Sequence, residues 1–190
     1  SAGSSKTICQ RANMNLASVN YHFGGKSVLY REVLIEAQRQ LTDNLLLKLD
    51  TIGDIMSPRE RVRTYLEHIF GVFLLEETPW YAKVLVREYI EPSSFGMELM
   101  KRGGFPNITR MSEMFANYFE LPEDHPTVLR AVTYTFSMAM GSLAFESTLT
   151  ANSDAVRRIR SDSDAALKEL SFVLMTGMDV LKMSMKTFKP

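Results

Sequence analysis

Apolar residues recur at helical spacing along nearly the whole of this chain, and nowhere do they alternate residue by residue as a half-buried strand requires. Val62, Tyr65, Leu66, Ile69, Phe70 and Phe73 set the pattern, with steps of three and four that gather on one side of a helix. An all-α fold is therefore expected, and sheet-based folds are excluded. With 190 residues, 45% hydrophobic and 23% charged, the chain has enough apolar mass for a sizeable core. Proline and glycine then divide it into helices expected over residues 27–49, 59–77, 80–90, 94–101, 108–119, 127–149 and 164–186. Residues 150–163 form a polar connection that contains Arg157, Arg158 and Arg160. No run reaches the ~18 uninterrupted apolar residues of a membrane span. The nearest, residues 131–145, is uncharged but includes Thr, Ser and Gly, and is expected to be a buried helix.

The first 34 residues are cut more finely. Ser4 or Ser5 can cap a first helix that runs to about Ala12 with Ile8, Cys9 and Ala12 on one face. Asn13 stands where a helix ends in a left-handed residue, Met14 is the apolar pin of the turn, and Asn15 is placed to cap the next helix. That second helix, 16–23, buries Val19 and Phe23 and leaves Ala17, Ser18, Asn20, Tyr21 and His22 outside. Gly24 and Gly25 stop it, and Lys26 with Ser27 opens a third helix whose amide-rich start and nearby ammonium suit a phosphate. Charge is distributed to match. The whole chain is neutral, yet residues 1–40 carry five cations against two carboxylates, a local surplus of +3.

The run Ile8-Cys9-x-x-Ala12-x-Met14-Asn15-x-x-Ser18-Val19-x-Tyr21-His22-Phe23-x-x-Lys26-x-x-Leu29 resembles the helix-turn-helix of TetR-family transcriptional regulators. The wording from Asn15 to Lys26 is similar to one subgroup whose C-terminal domain carries an Arg-Glu-x-x-x-Pro-Ser element, matched here by Arg87, Glu88, Pro92 and Ser93. The resemblance implies two domains: residues 1–49, a DNA-binding helix-turn-helix with its connecting helix, and residues 50–190, a helical ligand-sensing and dimerisation bundle. It also implies a helix ahead of Ser4, without which Ile8, Val19, Phe23, Leu29 and Val33 lose apolar cover. The sequence is accordingly expected to start partway through the natural protein; the competing idea is a natural truncation that abolishes DNA binding. Residue by residue, the resemblance directs Leu16, Ala17, Ser18 and Asn20 to base edges and Tyr21, His22 and Lys26 to phosphates of a double-stranded DNA operator.

In the bundle, twelve Met and 19 aromatic residues supply an adaptable interior for a small hydrophobic or aromatic effector. Phe73, Trp80, Arg87, Met111, Phe115, Tyr118, Tyr134 and Met138 are expected on inward faces around a central cavity, with Arg87 either reading an anion or pairing with a carboxylate such as Glu88. The last helix has two apolar sides. Leu167, Leu174 and Leu181 repeat every seven residues with Met178 and Met185, the expected homodimer seam, while Leu170, Val173, Gly177 and Val180 make the other side.

Catalytic patterns fail. Gly24-Gly25-Lys26-Ser27 resembles the end of a phosphate-binding loop, but Asn20 stands where its leading Gly belongs and no strand precedes it. His22, His68 and His125 are isolated, no metal-ligand spacing appears, and no cofactor is expected. The single Cys9 forms no internal disulfide and fits a reducing cytoplasm. The expected function is a DNA-binding repressor released by an effector. Two alternatives stay open: a DNA-binding module whose bundle only dimerises or holds a protein partner, and a helical-bundle enzyme with a site assembled across helices.

Overall fold

The structure, a computed structural model, describes residues 5–13, 15–52, 56–74, 78–101, 106–149 and 162–187. Over these residues the fold is all-α, without a strand: α1 (Ser5–Arg11), α2 (Leu16–Phe23), α3 (Lys26–Ile52), α4 (Pro58–Leu74), α5 (Trp80–Ile90), α6 (Ser94–Lys101), α7 (Pro106–Phe119), α8 (Pro126–Leu149) and α9 (Ser163–Thr187). Among the described residues no helix is long and apolar enough to cross a membrane. Ser4, Met14 and the arginines of 157–160 lie outside the described residues.

Local chemistry accounts for the boundaries. Asn13 takes the left-handed conformation after α1 (φ 53°), and the Asn15 side chain accepts from the Ala17 N–H at 3.1 Å to cap α2. Gly24 closes α2 at φ 66°, its N–H donating to the Asn20 carbonyl at 2.9 Å; a side chain there would be strained. Ahead of α4, Ser57 and Glu60 form a reciprocal cap: the Ser57 N–H and hydroxyl donate to the Glu60 carboxylate at 2.9 and 2.7 Å, and the Glu60 N–H to the Ser57 Oγ at 3.3 Å. His125, isolated in sequence, caps α8 by accepting from the Thr127 N–H at 3.2 Å.

The centre of the bundle is α4, whose Val62, Tyr65, Leu66, Ile69, Phe70 and Phe73 are buried among α3, α7, α8 and α9. Burying each such side chain contributes about 1.5–3 kcal/mol. The Tyr65 hydroxyl is enclosed and has no hydrogen-bond partner among the described residues. From α3, Leu34, Ala37, Leu41 and Leu45 present one buried stripe toward α4, α5 and α7. The short helices α1 and α2 pack on each other, and α2 packs on α3.

The last helix reverses most of the expected assignment of its two sides, although Leu170, expected on the second side, also packs on the core. Met178 is buried, and Leu167, Leu174 and Met185 pack against their own core, facing α4; of the expected dimer seam only Leu181 is exposed. The outward side is Phe172, Val173, Val180 and Met183, exposed by 61–70%. Asp179 explains the phase. Its carboxylate takes the Arg59 guanidinium on both oxygens (2.6–3.1 Å) and the Tyr118 hydroxyl at 2.5 Å, which locks one face of α9 to α4 and α7. The Arg59 hydrogen bonds hold the Asp179 carboxyl below the usual carboxylate range.

Candidate nucleic-acid interface and ligand cavity

At the start of the chain, α2 is held by its underside and its caps, which leaves one face to solvent. Ala17, Asn20, Tyr21 and His22 are exposed on it, and Lys26 is exposed at the first position of α3. The Tyr21 ring is 86% exposed and stacks edge-on against His22 with centroids 5.1 Å apart. A ring so little covered contributes nothing to the core. Leu16 and Ser18 are in α2, but their side chains lie outside the described residues.

The bundle holds a cavity of about 310 Å³ against α3. Leu41 of α3, Leu85, Glu88 and Tyr89 of α5, Ser112 of α7, and Phe136 and Met140 of α8 line it. None of the eight residues expected to surround a ligand is in this wall. Phe73, Met111 and Phe115 are fully buried in the solid core, and Met138 is half-buried against it. Tyr118 is the strut to Asp179, and burial together with that bond raises its pKa. Trp80 and Tyr134 are 45% and 56% exposed, and Arg87 also faces solvent, so these three do not stand on inward faces. The physical reason lies in the helix phase. In α8 apolar residues cover almost every direction, and the wall is made by Phe136 and Met140, each two residues and therefore about 200° from Tyr134 and Met138.

In α5 the error is a single residue, and it matters. Arg87 is outside while Glu88 is 5% exposed. The Glu88 carboxylate accepts from the Tyr30 hydroxyl of α3 at 2.6 Å and from the Ser93 N–H at 2.6 Å, and the Ser93 hydroxyl donates to it as well. Ser93 caps α6 through the Gly96 N–H at 3.0 Å. The Glu-x-x-x-Pro-Ser element therefore encodes a junction in which one buried carboxylate ties α3, α5 and the start of α6. Gly96 completes it: a Cβ there would stand 2.7 Å from Glu88 Cδ and 2.9 Å from Cγ, closer than packed carbons come. Burial first, and then the bond to Glu88, push the Tyr30 phenol up to about 12. Near the other end of the α3–α5 contact, Asn44 donates to the Tyr81 hydroxyl at 3.2 Å, while beside the Glu88 junction itself Arg31 lies 4.4 Å over the Phe95 ring of α6.

The fold and the cavity define an all-α chain with a ligand-sized chamber beside its longest early helix. No protein-family model matches this chain, and no curated protein matches it.

Proposed function

We propose that the chain is a dimeric, ligand-responsive transcriptional regulator of the TetR type, a cytoplasmic repressor that leaves its DNA operator when a small hydrophobic effector binds. The observation that carries this reading is the continuity of α3. One uninterrupted helix begins at Lys26, beside the exposed face of α2, and reaches the cavity wall at Leu41. A ligand in the cavity therefore touches the element that positions α2, and effector and DNA affinities are coupled reciprocally.

The exposed side of α9 supplies the second subunit's seat. Phe172, Val173, Val180 and Met183 form a contiguous apolar stripe with Gly177 in its middle, where a second helix can approach closely. Two reader helices about 34 Å apart suit successive major grooves of a palindromic site. A bundle that only dimerised would have no use for an apolar chamber on α3. Among the described residues of the chamber wall the titratable side chains are Glu88 and Tyr89, a sparse set that favours binding over catalysis.

The test is selection from pooled genomic duplexes at physiological salt, using protein expressed from its complete reading frame. Enrichment of a palindrome is the expected result. Binding that is salt-sensitive but blind to sequence, or no binding, would overturn the proposal.

A further inference from the structure

Among the described residues Glu88 is the one charged side chain in the cavity wall, and no cation pairs with it. Its three hydrogen bonds come from neutral donors, Tyr30 and Ser93. A buried carboxylate in this setting favours a positive partner, because removing charge from water is costly unless an opposite charge replaces the lost hydration. The rest of the wall is mainly apolar, with Leu85, Val132, Phe136 and Met140, and about 310 Å³ lies at the small end of the ~300–1,000 Å³ range of ligand pockets.

We propose, resting on the regulator reading above, that this cavity takes a small hydrophobic amine whose ammonium binds Glu88 in place of the Tyr30 hydroxyl. The exchange needs no bond making. Ser93 keeps two hydrogen bonds on the carboxylate, so Glu88 stays in position while its third partner changes. Tyr30 stands one turn after Lys26, and its release detaches the first turns of α3 from α5. The Asn44–Tyr81 bond and the buried Leu41 and Leu45 keep the later turns docked. Ligand binding is thereby written into the end of α3 that carries α2.

Three probes of similar bulk decide the matter: phenylbutylamine, phenylbutanol and phenylbutyrate, each titrated calorimetrically into the wild-type protein, Glu88→Gln and Tyr30→Phe. The amine is expected to bind at least about tenfold more tightly than the alcohol, the scale of one charge-assisted hydrogen bond, with the carboxylate weakest. Glu88→Gln should bring amine affinity down to that of the alcohol. Tyr30→Phe should strengthen amine binding several-fold, since no hydroxyl then competes. Equal affinities for the three probes, or an amine affinity unchanged in Glu88→Gln, would overturn the inference. Should Glu88→Gln fail to fold, Tyr30→Phe decides, and amine affinity that stays the same or falls in that variant is the contrary result. A palindrome bound by the wild-type protein with no preference for the amine sinks this inference alone, whereas amine binding through Glu88 without any selected DNA site sinks the regulator reading alone.

Discussion

Replacing Gly96 by Ala tests the junction at Glu88 without removing any hydrogen-bonding group: the new Cβ would press first on the Glu88 Oε1 that accepts from Ser93. The added methyl group would meet Glu88 Cδ at 2.7 Å and Cγ at 2.9 Å, and the carboxylate has no easy retreat because Tyr30 and Ser93 hold it. Expelling the carboxylate forfeits hydrogen bonds worth about 1.5–3 kcal/mol each. Shifting α6 instead costs about 1–3 kcal/mol in repacking and about 1 kcal/mol for the Ser93 cap. Alanine returns up to ~1 kcal/mol of helix propensity. The cheaper route leaves a net loss of about 1–3 kcal/mol, which for a chain of this size lowers Tm by roughly 2–12 °C. Urea unfolding followed by far-ultraviolet circular dichroism reads this directly. The decisive arm is the same substitution in a Glu88→Ala background. There the obstructing atoms are gone, so Gly96→Ala should cost less than about 0.5 kcal/mol, a coupling of about 2 kcal/mol between the sites. Additive losses would refute the argument that Gly96 is small because Glu88 needs the space.

The surface of α2 predicts a split between two variants: Lys26→Ala should weaken binding to all duplexes and reduce the salt slope by about 1, whereas Asn20→Ala should relax sequence preference, both read by fluorescence anisotropy over a salt series. On α9, Val180→Glu places a charge in the middle of the exposed apolar stripe and should turn a dimer into a monomer in sedimentation equilibrium, while Leu167→Ala should lower stability with the dimer intact. Asp179 has a folded-state pKa below its unfolded value, so its contribution is present above about pH 4 and is lost as pH falls through the folded pKa. Asp179→Asn should cost about 1–2 kcal/mol at neutral pH and flatten the acid limb of the stability curve, measured by urea midpoints from pH 2 to 7. Tyr65→Phe removes an enclosed hydroxyl with no partner and should leave stability unchanged or raise it by about 1 kcal/mol in thermal unfolding.

Helix existence and ends were legible because their causes are local. Pro79 and Pro92 bracket α5 and Gly24 closes α2 through backbone conformation, while Asn15 opens α2 through a side-chain hydrogen bond only two residues away. Reading α7 from Ile108 and α8 from Thr127 started both slightly late, since Pro106 and Pro126 serve as first helical residues, where a missing N–H costs nothing. Helix faces were less legible. In α9 two apolar sides differ by which one meets Arg59 and Tyr118, residues 120 and 61 positions away from Asp179. In α5 a charged residue reads as solvent-facing by default, and the burial of Glu88 depends on Tyr30, 58 residues distant. The same element named in the sequence, Arg87 to Ser93, contained the right residue; the guanidinium drew attention that belonged to its neighbour.

The unbroken length of α3 sets a mechanical gain. Lys26 to Leu41 spans 15 residues, about 22 Å of helix. A tilt of about 9° around Leu41 therefore sweeps the α2 end through about 3.5 Å, close to the ~3.4 Å rise of one base pair. If the chain pairs symmetrically on DNA as proposed, the two displacements add, and the two copies of α2 would drift apart by roughly two base steps while the cavity walls moved by less than the width of an atom. On the regulator reading proposed above, a stiff rod of this length would convert a side-chain-sized event into a change of gauge between two grooves.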